Sequence, residues 1–325
     1  VENELVQIWE QTLGISPIGV NDHFFELGGH SLMISQIINA IYKNLNKSVP
    51  YKVFYTNPTI KDLRKSLKNQ EYLPIPLTPY SESYSLTHSQ NRLWMLSQLE
   101  GGNEAYQISG AVVLKGKLNA YNFCKAFDHV ITHHEVLRTI FKKNEEGTVK
   151  QYIIPDNEFR FAIEKKDFSM HKSPDQEIQN YIGQKNKESY NLAEAPLFKA
   201  SLLKTAVDSY VFYLSIHHLI SDGWSLKVLT AQVLEYYNIL ESGNTIPSPE
   251  HTIQFKDYAA WTHDEQNKEN YQLAEEYWLQ QFKETVPVLQ LPGYNGRPSV
   301  KTYQGSQYRH AFSKELLTEL KNLSK

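Results

Sequence analysis

Apolar positions recur every three to four residues through the first part of the chain and every second residue in several stretches further on, a change of period that divides the sequence. In VENELVQIWEQTLG, Leu5, Ile8 and Trp9 share one helical face. In SLMISQIINAIYKNL, Ile34, Ile37, Ile38, Ile41 and Leu45 do the same, and a shorter helix, TIKDLRKSLKN, follows Pro58. Residues 1–68 are therefore expected to form a small helical domain. EYLPIPLTPYSESYS carries three prolines and no clear period, which suits an extended linker over residues 69–85. From Leu86 helical and alternating patterns follow one another. THSQNRLWMLSQL, NAYNFCKAFDHVITHH and WSLKVLTAQVLEYYN read as helices; YQISGAVVLKG, TVKQYIIP and SYVFYLSIHHL read as strands. Residues 86–325 are expected to be an α/β domain, with the proline-broken stretch around residues 243–299 acting as a connection that includes the helical NYQLAEEYWLQQF.

A length of 325 residues suits about two domains. With 41% hydrophobic and 21% charged residues and a formal charge of -3, the chain has no electrostatic feature that points to nucleic acid. The single cysteine, Cys124, leaves no internal disulfide framework and fits a reducing compartment, so a cytoplasmic location is expected. No run approaches the roughly 18 apolar residues of a membrane helix, and no signal peptide opens the sequence, so no membrane association is expected. Val1 already stands inside a helical period, which suggests a chain cut from something longer, and the C-terminus raises the same expectation.

In NDHFFELGGHSLM, Ser31 stands where the long apolar helix should begin. A serine there can simply cap the helix. A serine hydroxyl at a helix start can also bear a phosphodiester, because free amides and the helix dipole favour an anion. The surrounding residues Asp22, Phe24, Phe25, Leu27, Gly28, Gly29 and Leu32 stand at the spacing of the 4′-phosphopantetheine attachment site, and the segment strongly resembles the peptidyl carrier proteins. An acyl carrier of the polyketide type is the nearest alternative. The resemblance covers residues 1–68 and implies a four-helix bundle with the arm covalently on Ser31. His30 beside the serine is the form commonly found in that family ahead of condensation domains.

The stretch SIHHLISDGWS poses a second problem. If YVFYLSIHH is a strand, Phe212, Leu214, Ile216 and His218 face one side and Val211, Tyr213, Ser215 and His217 the other. The two histidines diverge, and no spaced Cys, Asp or Glu cluster accompanies them, so no metal site is assigned. Ser221, Asp222 and Gly223 mark the passage into a helix with outward-pointing amides. A histidine facing such amides can manage a proton while an amide stabilises an oxyanion, although a satisfied core histidine is the plainer alternative. His217, His218, Asp222 and Gly223 match the His-His-x-x-x-Asp-Gly motif of nonribosomal peptide synthetase condensation domains, relatives of chloramphenicol acetyltransferase. LTHSQNRLWMLSQLEGGNEAYQI, HHEVLRTIF and FKDYAAWTH resemble three further motifs of that family in order.

That resemblance implies an α+β multidomain chain: a four-helix carrier bundle, then an α/β chloramphenicol-acetyltransferase-like lobe. It makes His218 the catalytic histidine, Gly223 the backbone neighbour of the reacting carbonyl, Asp222 a structural partner of Arg138, and His217 a packing residue. It implies peptide-bond formation between a donor thioester on Ser31 and an aminoacyl acceptor on a downstream carrier domain, with an L-configured donor. An upstream adenylation domain and a phosphopantetheinyl transferase are the other implied partners. Epimerization and heterocyclization relatives share the motif, though the latter usually carry aspartates for the histidines. An epimerase, or a non-catalytic carrier and docking unit, is the rival reading. YQGSQYRHAFSKELLTELKNLSK resembles the opening of the family's second lobe, so an incomplete tunnel, inactive alone, is expected.

Overall fold

The computed structural model describes residues 1–247, 252–289, 302–303, 305–306, 308 and 310–323, with the backbone alone for 265–270. The chain divides into two compact units, Val1–Ile75 and Pro76–Lys325.

The first unit holds α1 (Glu2–Leu13), α2 (Ser31–Leu45), α3 (Val53–Thr56) and α4 (Ile60–Lys65). Burial selects the faces that the spacing marks: Leu5, Ile8 and Trp9 of α1 meet Ile34, Ile37 and Ile41 of α2 in one core, with Ile38 and Leu45 at its margin. Gly14 ends α1 at φ 70°, a left-handed conformation that costs glycine little. Thr59 caps α4 by accepting from the Asp62 N–H. A two-residue ribbon, β1 (Lys47–Ser48) with β2 (Lys68–Asn69), ties the end of α2 to the chain after α4.

In the second unit α5 (His88–Ser97) and α6 (Gly102–Ala105) lead into β3 (Gln107–Lys115), followed by α7 (Ala120–His133), β4 (Thr139–Lys143), β5 (Val149–Ile153), β6 (Glu164–Asp167), α8 (Pro174–Lys185), β7 (Phe198–Ala206), β8 (Ser209–His217) and α9 (Gly223–Glu241). After α9 come α10 (Phe255–Thr262), α11 (Glu265–Gln281) and α12 (Lys314–Leu323). The main sheet has the order β3-β8-β7-β6. Only β6 and β7 run parallel, whereas β7 and β8 form a hairpin and β3 joins β8 antiparallel. Helices and strands are interspersed in sequence, but β4, β5 and β6 follow one another, as do β7 and β8, without an intervening helix, and the main sheet is mixed.

Helices pack on both faces of the sheet at β7 and β8, whereas β3 is largely exposed. Leu202, Phe212 and Ile216 belong to the large core with Phe123, Phe127 and Val130 of α7 and Val233 of α9, while Leu203 packs with Ile178 and Tyr181 of α8. Adjacent Leu202 and Leu203 face opposite sides because strand side chains alternate. A separate ribbon pairs β4 with β5, and Tyr84, in the stretch read as linker, bridges to Gln151 of β5.

Candidate carrier serine and candidate active site

Ser31 opens α2, and the extended residue before it, His30 at φ -143° and ψ 170°, gives no side-chain cap. The Ser31 hydroxyl is not spent on the helix amides: its Oγ lies 2.9 Å from the Tyr55 hydroxyl. Tyr51 donates to the Ser31 carbonyl. Three features shape the loop before it. Asp22 accepts from the Gly19 N–H at 2.7 Å, Gly28 turns at φ +91°, and the Gly29 N–H donates to the Phe24 carbonyl at 3.0 Å. A Cβ on Gly29 would meet the Phe24 ring at 2.5 Å, so only a residue without a side chain lets the chain pass there. Phe24 is itself fully buried against Trp9 and Phe54. The loop is thus pinned to the core and leaves an exposed serine hydroxyl at the helix start, a donor set suited to a phosphodiester-linked arm.

In the second unit, the residues after β8 form a braced turn. The His218 N–H donates to the Tyr106 carbonyl at 2.8 Å, the Leu219 N–H to His217 Nδ1 at 3.1 Å, and Gln90 Nε2 to the Leu219 carbonyl at 3.3 Å. Gln90 is held by a capping box with Thr87 at the start of α5, which explains the THSQ of the sequence. His217 is fully buried, and its neutral form carries the proton on Nε2, which has no hydrogen-bond partner among the described residues. Burial, with His218 beside it, pushes its pKa down to about 4. The ring of Tyr190 stands edge-on at 6.0 Å. His217 packs inward in this arrangement, and His218, just past the end of β8 and half-buried, lines a cavity of about 330 Å³.

That cavity is bounded by Ser89, Gln90 and Leu93 of α5, by His134 and Leu137, by Asp222, Trp224, Ser225, Val228 and Leu229 at the start of α9, and by Phe255. Gly223 is the first residue of α9; a Cβ on it would meet nothing within 4 Å, and it lies outside the left-handed region. Neither packing nor backbone requires glycine there. Asp222 caps α9, accepting from the Ser225 N–H at 2.7 Å and hydroxyl at 2.6 Å. Burial alone would raise its carboxyl, but Ser225, the Trp224 N–H and neighbouring His218 hold it below the usual carboxylate range.

The expected Asp222–Arg138 pair does not form. Arg138 is buried, and its guanidinium donates to the carbonyls of Ile131, Thr132 and Ile154. The charge therefore serves the C-terminal carbonyls of α7 and the end of β5, where a cation is favoured. Asp156 and Glu135 are the carboxylates that bear on it, against the effect of burial, which lowers its pKa. Asp222 is satisfied locally as a cap, so the compensation that a buried carboxylate would need is not required.

Two features escape the sequence reading. His134 lines the cavity, with Nε2 2.5 Å from Gln232 Oε1, and burial pushes its imidazole pKa down. Tyr51 and Tyr55 reach Ser31 from 20 and 24 residues away, and no local pattern announces that contact. Among the described residues no group of three His, Cys, Asp or Glu could hold a metal ion, and no helix is long and apolar enough to cross a membrane.

Residues 80–325 match the condensation domain family, and residues 3–67 match the phosphopantetheine attachment site. The chain belongs to the condensation-domain family of nonribosomal peptide synthetases, with a phosphopantetheine attachment domain ahead of that domain. Its whole length is 33% identical to tyrocidine synthase 3 of Brevibacillus parabrevis, of which it covers 5%, and 34% identical to bacitracin synthase 3 of Bacillus licheniformis, again covering 5%. Gramicidin S synthase 2 of Aneurinibacillus migulanus is 31% identical, with 7% covered. The chain thus spans a small part of each of these relatives. Among solved structures, the first condensation domain of the calcium-dependent antibiotic synthetase superposes with a TM-score of 0.57 at 21% identity, over 64% of this chain and 49% of that one. The starter condensation domain of rhizomide synthetase gives 0.56 at 24%, over 62% and 48%. These likenesses establish the chloramphenicol-acetyltransferase-like fold of the lobe.

Proposed function

We propose that the chain carries a donor acyl group on Ser31 and works in peptide-bond formation, with His218 as the catalytic histidine and with an L-configured donor. What carries this reading is the placement of His218 in a cavity that Asp222, Trp224 and Ser225 at the start of α9 also line. The arm, when attached to Ser31, presents the acyl group as a thioester. His218 takes the proton that the acceptor amine releases as its nitrogen bonds the thioester carbonyl carbon, and returns it to the sulfur as the carbon–sulfur bond breaks. Gly223 leaves room for the reacting carbonyl and supplies an amide at the helix start, where a developing oxyanion is favoured. Asp222 fixes that helix start, and His217 locks the turn that aims His218. Holding both substrates in place supplies effective concentration, so positioning contributes beside proton transfer.

An upstream adenylation domain to choose the amino acid, a downstream carrier to hold the acceptor, and a phosphopantetheinyl transferase to prime Ser31 are the partners this reading requires. The coverage of about half of the solved condensation domains supports a role as part of a longer enzyme. The test begins with priming: incubation with coenzyme A and a broad-specificity transferase should add one phosphopantetheine mass to the wild type and none to Ser31→Ala. Equal modification of both, or of neither, would overturn the assignment of Ser31.

A further inference from the structure

Beside Ser31 two tyrosines form a small platform. Tyr51 and Tyr55 lie on either side of the start of α3, their ring centroids 6.0 Å apart, and Tyr55 is flanked on its other side by Phe25 at 5.4 Å. Both remain 40% and 53% exposed, so their hydroxyls stay at the surface while their rings are held. Each hydroxyl is aimed at the same residue: that of Tyr55 at Ser31 Oγ, 2.9 Å away, and that of Tyr51 at the Ser31 carbonyl. A surface serine surrounded by solvent has no need of two tyrosine partners, one from α3 and one from the turn before it.

We infer that Tyr55 is a binding residue for the phosphodiester of the arm and that Tyr51 positions the Ser31 backbone beneath it. The inference rests on Ser31 being the attachment site. Before attachment either oxygen of the Ser31–Tyr55 pair can donate. After attachment Ser31 Oγ has no proton, and an ester oxygen is a poor acceptor, so Tyr55 becomes the only donor of the pair. The strongest acceptors within reach are then the anionic oxygens on the phosphorus next to Oγ. A phenolic O–H to an anionic oxygen forms a short, charge-assisted bond, about 2.5–2.7 Å. The tilted rings of Phe25 and Tyr51 beside it restrict where Tyr55 can point, so it holds the first bond of the arm in one direction while the rest stays free to move. Tyr51 bonds a carbonyl that is unchanged by attachment, and its contact persists in both states.

The test uses the whole chain, loaded through coenzyme A and transferase, and reads the phosphorus-31 NMR signal of the phosphodiester at neutral pH. Wild type, Tyr55→Phe and a control, Tyr42→Phe, are compared. Tyr42 bonds the Glu71 carbonyl on the same unit and does not touch Ser31, so the control removes a hydroxyl without removing this contact. Tyr55→Phe should load fully by mass, and its phosphorus signal should move from the wild-type position toward that of the same protein unfolded in urea. The control should keep the wild-type position. In the folded state, loss of this charge-assisted hydrogen bond should leave the tethered conformation at least about tenfold less populated, which the fraction of that displacement reads. A Tyr55→Phe signal coincident with wild type, with circular dichroism unchanged, would overturn the role of Tyr55 while leaving Ser31 as the attachment site. Failure of the wild type to load would overturn both.

Discussion

Replacing Gly29 by alanine tests how the carrier loop is held. The added Cβ would stand 2.5, 2.5 and 2.6 Å from three carbons of the Phe24 ring, about 1 Å inside ordinary contact. That ring cannot retreat easily, because it is fully buried with Trp9 at 5.1 Å, Phe25 at 5.3 Å and Phe54 at 5.7 Å. Overpacking of this kind costs about 1–3 kcal/mol. In a unit of this size each kcal/mol lowers the melting temperature by about 4–8 °C, so the transition of the first unit should fall by at least about 4 °C. Calorimetry, with the Trp9 indole NMR signal to identify the unit, measures it. Gly28→Ala provides the contrast. It meets nothing within 4 Å but sits at φ +91°, so its cost of about 1–2 kcal/mol comes from the backbone. Adding Phe24→Leu should therefore relieve Gly29→Ala and leave the Gly28→Ala penalty unchanged. A Gly29→Ala protein that melts and primes like the wild type would refute the steric account.

Three further expectations concern the second unit. Asp222→Ala should cost about 0.5–2 kcal/mol, as for a lost helix cap, and a double-mutant cycle with Arg138→Met should show additivity within about 0.5 kcal/mol; urea unfolding that reveals strong coupling would restore the ion pair. His217 ionises near 6.5 when unfolded but near 4 when folded, so stability is full above pH 6.5 and falls as pH falls, by about 3 kcal/mol at pH 4. Chemical denaturation of His217→Asn at a series of pH values should lack that slope, and an identical slope would contradict the assignment. Gly223→Ala should leave stability within about 0.5 kcal/mol or raise it slightly, yet reduce product formation in a condensation assay; a stable and fully active variant would remove the need for space at that position.

Much of this organisation was legible in the sequence because it is written in local spacing. The three-to-four period located α1 and α2 with the right faces, and the alternating run SYVFYLSIH located β8, which ends at His217. Of the elements that spacing does not announce, α8 and β6 lack a periodic signal, whereas β7, FKASLLKTA, is a short apolar run that period alone leaves undecided between helix and strand. In α8 only Ile178 and Tyr181 are buried, too few to mark a face, and β6 is the charged EKKD at the sheet edge, paired on one side by β7. No spacing announces the Arg138 environment, because its hydrogen-bond partners are three backbone carbonyls and the carboxylates that bear on it are Asp156 and Glu135 rather than Asp222. Tyr51 and Tyr55 join Ser31 only after α3 has folded against the loop, a contact between distant positions that no spacing rule encodes.

The central claim is that His218 moves the proton in a condensation fed from Ser31. The direct measurement is single-turnover dipeptide formation in the full-length synthetase, with the donor thioester preloaded on Ser31, a charged acceptor carrier added, and the product followed by intact-protein mass spectrometry. His218→Ala should lower the rate by about 10²–10⁴-fold with loading unchanged, as expected for loss of a general acid-base. A rate for His218→Ala within a few fold of the wild type would contradict it.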